Sequence, residues 1–198
     1  MIIVIDDFLA DPEAVRQSAL RAGFGTWRPN KGDTGLAFYD GVSFWGDHAT
    51  LFKALHKHLQ HQLIPGSMFF RLTNPSMEHA IVHSDREYGD YTAIVYLSED
   101  IDSNIESGTG FYKHRETGMI DLPPIAELMK NKESFEKLNK QIMNASDTDW
   151  ELYKFVEGKF NRCLVFDAPK IHCRLPKTGY GTQEDNSRMV WVCHFSVP

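Results

Sequence analysis

The sequence has little of what would mark a secreted, membrane-spanning or disulfide-stapled protein. Its 198 residues include three cysteines, Cys163, Cys173 and Cys193. They are an odd number, form no CxxC, and each sits in an apolar stretch, where cysteine behaves as a small buried hydrophobe. A disulfide framework is not expected, and a reducing cytoplasm is the simplest compartment. No apolar run approaches the roughly 20 residues that span a bilayer. The opening stretch Met1–Leu9 is short, lacks a basic flank and runs straight into Asp6 and Asp7, so it reads as a first strand and not as a signal peptide. No GxSxG, P-loop or Rossmann glycine pattern is present, which removes the common nucleophile-elbow and nucleotide-cradle chemistries. Positive charge is also scarce. With 21 Lys and Arg against 27 Asp and Glu the formal net charge is −6, a balance that offers no broad footprint to nucleic acid or anionic membrane.

What is present is the composition of an ordinary globular protein, 42% hydrophobic with 14 glycines. The length suits one domain, residues 1–198, without internal repeat or Pro- or Ser-rich linker. Ile2–Ile5 reads as a strand. Asp11-Pro12 is a good cap and first-turn pair for a helix over 12–22, with Val15, Ala19 and Ala22 at helical spacing. Residues 23–46 read as loops with short strands. A second helix is expected over 48–62, striped by Leu51, Leu55, Leu59 and Leu63. After Pro65-Gly66 the pattern changes to short strands at 68–72, 80–83, 91–97, 110–113, 162–166, 171–174 and 188–195, separated by turns, as in a sandwich or small barrel. A helical insertion is expected at about 121–158, its last helix opened by a capping box at Thr148-Asp149-Trp150-Glu151 and ended by Gly158.

The sharpest chemical signal is His83-Ser84-Asp85. On a strand or strand end, residues two apart point to one face, so an imidazole and a carboxylate can meet one point. His172 could supply a third ligand from the start of a later strand. Two histidines and a carboxylate with open positions make the facial triad of non-haem Fe(II) chemistry. A surface turn carries a His-x-Asp tripeptide equally well, and nine histidines guarantee some chance spacings. The neighbours raise the odds. Arg188 opens an apolar strand, with Val190, Val192 and His194 on its face, and an interior guanidinium suits a carboxylate presented by a ligand. The hydroxyl of Tyr96 could meet the same carboxylate.

In this order the residues resemble a known family. The segment from Met68 to Phe195 is similar to the double-stranded β-helix of Fe(II)- and 2-oxoglutarate-dependent oxygenases, especially the prolyl-hydroxylase-like branch. The resemblance rests on His83-Ser84-Asp85, the strand Tyr91–Leu97, Gly108-Thr109-Gly110-Phe111-Tyr112, the run Phe160–Phe166 with His172, and the Arg188 strand. Ile5–Leu9 and Asp11-Pro12 look like the start of an uncharacterised bacterial and phage branch. The fold implied is mainly β with flanking helices, a double-stranded β-helix (jelly-roll) with N-terminal helices and the helical insertion. The resemblance implies that His83, Asp85 and His172 hold Fe(II), that Arg188 binds the distal carboxylate of the cosubstrate 2-oxoglutarate, and that Tyr96 adds a hydrogen bond to it. It implies a dioxygenase that consumes O₂, hydroxylates a peptidyl or small-molecule substrate, and releases succinate and CO₂.

Two departures are visible. His172 and Arg188 are 16 residues apart (188 − 172), a longer spacing than this branch uses. The stretch Pro176–Gly181 looks like an extended hairpin loop that absorbs the excess. Arg174, two residues after His172 on the same face, competes with Arg188 for the carboxylate. A glycine pair of the family also stands here as Gly108-Thr109-Gly110.

The other histidines read more plainly. His48, His56, His58 and His61 lie on or beside the second helix as a solvated face, His79 is a candidate for supporting the ligands, His114 for a substrate rim, and His194 for a satisfied core histidine. Cys173 adjoins His172 but points to the opposite face, a poor nucleophile pair. The insertion and the aromatic-rich segment 23–45 could form a lid. Two rival functions stay open: a cupin-like metal enzyme that does not use 2-oxoglutarate, and an inactive barrel acting as a binding module.

Overall fold

The computed structural model describes residues 1–27, 39–77, 79–99, 105–144 and 148–198. Part of the segment 23–45 considered as a lid therefore lies outside the described residues. Strand β1 (Ile2–Ile5) leads into helix α1 (Pro12–Ala22). The Asp11 carboxylate accepts a 3.0 Å bond from the Ala14 N–H, satisfying a donor that the first turn leaves orphaned, and Pro12 occupies the position where a missing N–H is harmless. Short strands β2 (Gly25–Trp27) and β3 (Tyr39–Ser43) precede helix α2 (His48–Leu59), which Asp47 caps through the Thr50 N–H. Leu51 and Leu55 on α2 and Leu63 beyond it are buried, as their spacing predicts.

The rest is mostly strand: β4 (Ile64–Thr73), β5 (Tyr91–Tyr96), β6 (Gly108–His114), β7 (Trp150–Glu157), β8 (Cys163–Asp167), β9 (His172–Leu175) and β10 (Arg188–Ser196). Two antiparallel sheets result, one in the order β1-β8-β5-β10-β4-β3-β2 and one in the order β7-β6-β9.

Strand periodicity separates the two faces of the large sheet. On β10, Met189, Trp191, Cys193 and Phe195 pack with Leu51 and Leu55 of α2 and Val15 and Ala19 of α1. Val190, on the alternate face, packs with Ile94 and Tyr96 of β5, Leu164 and Phe166 of β8, and Phe111 and Val156 of the small sheet. The sheets thus face one another, with helices α1 and α2 covering the outside of the larger one. Among the described residues no helix is long and apolar enough to cross a membrane.

Three expectations are corrected. Residues 80–83 form no strand; His83 alone bridges to His172 (N–H to O 3.0 and 2.8 Å), because the Ala80 N–H is taken by the Lys177 carbonyl of a loop (2.9 Å). The expected helix opened by Thr148-Asp149-Trp150-Glu151 is strand β7. Its Trp, Tyr, Phe and Val suit a pleated surface, and β6 pairs it from Gly108↔Glu157 to His114↔Trp150, which overrides the capping signal. Gly158 accordingly ends no helix. Its N–H donates to the Ser107 carbonyl (2.7 Å), and a Cβ there would come within 2.7 Å of the Tyr96 ring. The helical part of the insertion shrinks to α3 (Ile125–Leu128) and α4 (Lys132–Asn144). Leu138 and Ile142 of α4 pack in one apolar cluster with Val82, Tyr112 and Cys173.

Gly108 is held by the tightest of these contacts, since a Cβ would lie 2.1 Å from the Val156 carbonyl oxygen of the paired strand. Gly108→Ala should destabilise the protein by about 1–3 kcal/mol, as overpacking of a closed site does. Urea unfolding followed by fluorescence measures it.

Candidate metal centre

Backbone pairing brings the three sequence-predicted donors together. The His83–His172 bridge sets the two histidines side by side, with ring centroids 4.4 Å apart. Asp85 follows two residues later, tied by its N–H to the Ala168 carbonyl (2.9 Å) at the entry to a 3-10 turn over Arg86–Tyr88. His83, Asp85 and His172 each offer one ligand atom, all within 4.8 Å of one another.

The ring orientations fit that use. Nδ1 of His83 donates to the Ile81 carbonyl and Nδ1 of His172 to the Lys170 carbonyl, both at 2.9 Å. A carbonyl can only accept, so each neutral ring keeps its lone pair on Nε2, the atom turned toward Asp85. Nε2 of His83 lies 3.6 Å from Oδ1, and Nε2 of His172 lies 3.4 Å from Oδ2. Asp85 and His172 are buried, whereas the His83 side chain is 42% exposed, so the cluster opens to solvent on the His83 side.

Burial by itself would raise the Asp85 pKa; the imidazoles of His172, His194 and His83 outweigh it and hold the carboxyl well below the usual carboxylate range. Burial pushes His172 down to about 4, with partial opposition from Asp85. A carboxylate and a neutral imidazole are the forms that ligate metals.

Two further side chains hold Asp85. The Thr92 hydroxyl donates to Oδ2 at 2.8 Å, and Nε2 of His194 lies 3.5 Å from the same oxygen. His194 is anchored by Ser67 (2.6 Å between Oγ and Nδ1) and stacked on Tyr88 at 4.9 Å. It is buried, as a core histidine should be, but its neighbour is the candidate ligand. The one signal for this in the sequence was that His194 shares a strand face with Arg188. Nothing local marked Thr92.

Arg188 is buried and reaches from the large sheet to the small one, its Nη2 3.5 Å from the Gly108 carbonyl and its Cζ 5.8 Å from the centre of the Tyr96 ring. Its buried Nε has no hydrogen-bond partner among the described residues. Tyr96 meets Arg188 with its ring; its hydroxyl is bonded to Thr109 Oγ1 at 2.6 Å, and burial pushes its pKa up to about 12. Arg174, the competitor, is half-buried, and burial together with Arg188 lowers its pKa to about 10. The long spacing from His172 to Arg188 forms a packed loop: Gly179 lies against the Thr73 backbone, and the Tyr180 carbonyl accepts from the Arg188 N–H at 3.3 Å.

The remaining histidines lie elsewhere. His79 is exposed. His114 is no rim residue; it is buried against Trp150 at 4.9 Å and bonded to Thr117 and Gln141. His48 accepts from the Trp191 indole N–H (2.9 Å) and donates to the Phe44 carbonyl (3.0 Å), His58 donates to the Phe8 carbonyl (3.1 Å), and His56 and His61 are exposed. Cys173 packs on the far side of the small sheet, away from the His172 ring.

Known structures share this fold. AviO1 from Streptomyces viridochromogenes superposes with a TM-score of 0.55 at 15% identity, covering 100% of this chain and 90% of its own. A prolyl hydroxylase from Trichoplax adhaerens, in complex with a hypoxia inducible factor peptide fragment, gives 0.56 at 12% identity, covering 98% and 82%. HygX from Streptomyces hygroscopicus, with nickel and 2-oxoglutarate bound, gives 0.55 at 14%, covering 98% and 82%. The chain therefore has the fold of the prolyl-hydroxylase-like oxygenases. It belongs to the family described as Family of unknown function (DUF6445), whose model matches residues 1–188. No curated protein matches it in sequence.

The Thr92 bond is to a buried, ionised carboxylate, and hydrogen bonds to charged groups carry about 1.5–3 kcal/mol. Thr92→Val, which keeps shape and removes the donor, should destabilise the metal-free protein by about that amount. Guanidinium unfolding in the presence of a chelator checks it.

Proposed function

We propose that the protein is an Fe(II)- and 2-oxoglutarate-dependent dioxygenase that hydroxylates a peptidyl or small-molecule substrate. The observation that carries this reading is the convergence of His83, Asp85 and His172, their Nδ1 atoms tied to backbone carbonyls, in the same inter-sheet space as Arg188 with its orphaned Nε. The donor set fits a divalent iron: two neutral imidazoles and one carboxylate leave coordination positions open. Sheet order supports the jelly-roll reading, since β4, β5, β8 and β10 lie in one sheet and β6, β7 and β9 in the other, with His83 bridged onto β9. We read residues 1–198 as a single domain with the helices between β6 and β7 as an insertion. The three free, buried cysteines fit a reducing cytoplasm.

His83, Asp85 and His172 would hold the metal. When bound, iron with its cosubstrate and O₂ supplies oxidative decarboxylation to succinate and CO₂ together with hydroxylation of the substrate. The chain's own groups perform the positioning. The backbone carbonyls of Ile81 and Lys170 fix the two imidazoles, and Thr92 and His194 fix the carboxylate. Arg188, desolvated and rigidly backed by Tyr96, presents its fork to a carboxylate, where a charge-assisted bond is strongest. Phe111, Phe166 and Val190 pack an apolar wall on the His172 side of the cluster, opposite the solvent-open His83 side.

Anaerobic addition of Fe(II) and 2-oxoglutarate to metal-free protein should produce the visible charge-transfer band of the chelate. His83→Ala and Asp85→Ala should abolish it, and Arg188→Ala should require at least about tenfold more cosubstrate. Metal binding without a band that depends on 2-oxoglutarate would favour the cupin-like alternative. Absence of metal binding would favour a binding module.

A further inference from the structure

A row of rings crosses the large sheet on the face turned toward the small one, with one ring from each of four neighbouring strands. Register sets that face. On β10, Val192 and His194 alternate in step with Val190, which packs toward the small sheet, and Phe69 of β4 stands opposite Val192. Val42 of β3 stands opposite Arg71, two residues along from Phe69, and Phe44 follows two residues after Val42. Ring contacts trace the row outward. The centroids of His194 and Phe69 are 6.1 Å apart, those of Phe69 and Phe44 6.1 Å, and those of Phe44 and Trp27 of β2 6.1 Å. At the inner end His194 stands opposite Thr92 of β5, and both approach Oδ2 of Asp85. The row thus runs from β2 to the carboxylate of the candidate metal centre.

Exposure rises along it. His194 is 4% exposed and Phe69 half-buried, whereas Phe44 is 45% and Trp27 36% exposed. Tyr88, itself exposed, stacks on His194 at the inner end. A contiguous exposed apolar patch that leads into a cluster of donor groups marks a binding surface. None of the three outer rings carries charge, so the groups that meet them are apolar. The interval between rings is informative as well. Side chains on one side of a fully extended chain recur about every 6.6 Å, whereas a polyproline helix repeats about every 9.3 Å. The 6.1 Å interval matches the extended chain. Roughly six extended residues span three such intervals. A small substrate held at Asp85 alone has no use for Trp27, three rings away.

We propose that this row is the docking track for an extended peptide with apolar side chains at alternate positions, laid across β2, β3 and β4 toward Asp85. The proposal rests on the oxygenase reading above and names its substrate class, a peptide and not a small molecule. Trp27, Phe44 and Phe69 hold the residues that flank the oxidised one, which lies beyond them beside His194 and Tyr88.

The test uses immobilised decapeptides of serine and glycine that each carry three leucines, placed at alternate positions, at every third position or in one block. Binding is measured with metal-free and with Fe(II)-loaded protein, so that docking is read apart from metal chemistry. Wild type should bind the alternating peptides at least about tenfold more tightly than the other two sets. Trp27→Ser and Phe44→Ser should each weaken that binding at least about fivefold, and Trp27→Phe should restore most of it. Trp45→Ser, which removes a 75% exposed ring outside the row, should change it less than about twofold. Melting temperatures show that each variant is folded. No preference for the alternating set, or equal losses in the Trp45 and Phe44 variants, overturns the track; a charge-transfer band in the same protein then leaves an oxygenase of small molecules. An alternating preference carried by Trp27 and Phe44 in a protein without that band keeps the peptide surface and overturns the oxygenase reading.

Discussion

A buried carboxylate surrounded by three imidazoles is the constraint on which the centre of this molecule depends. Asp85 sits out of water, where an ionised group is strongly disfavoured unless partners replace its hydration. Thr92 from β5 and His194 from β10 supply those partners, and His172 from β9 and His83 from the preceding loop stand beside the same carboxylate, which thereby joins groups of both sheets. Each partner is itself fixed, the histidines by Ile81, Lys170 and Ser67. An ionised carboxylate with two imidazole Nε2 atoms turned toward it is a group of donors that could hold a metal ion.

The same inter-sheet space has an opposite electrostatic end. Asp85 sets negative charge near one group of strands, and buried Arg188 sets positive charge near another, with Phe111, Phe166 and Val190 filling space beside them. The likeness to HygX, AviO1 and the Trichoplax prolyl hydroxylase is one of fold.

Packing outside that space explains why the fold tolerates such a cluster. Trp191, Phe70, Leu51 and Leu55 are fully buried between the large sheet and helices α1 and α2. A second apolar cluster around Trp150, Ile171 and Leu138 braces the small sheet from its far side. The polar centre is thus supported by two apolar layers that contain none of its chemistry, and His114, bonded to Thr117 and Gln141 in the second of them, is structural.

Much of this was legible in the one-dimensional pattern. The Asp11-Pro12 pair placed α1, the leucine stripe placed α2, apolar runs bounded by turns placed β5, β8 and β10, and the period of two put His83 with Asp85 and Arg188 with His194, because local backbone geometry alone determines those relations. Residues 148–158 were misread because the same residues satisfy a helix cap and a strand, and only pairing with β6 decides between them. Thr92 carried no sequence signal, since a threonine in a strand is ordinary until the residue beside it in the fold is known. The sequence alone determined which side chains could serve as donors and which neighbours along the chain share a face. The tertiary structure decided which of these faces meet, because the pairing of β9 with His83, of β10 with β4 and β5, and of β6 with β7 depends on contacts between residues far apart in the chain.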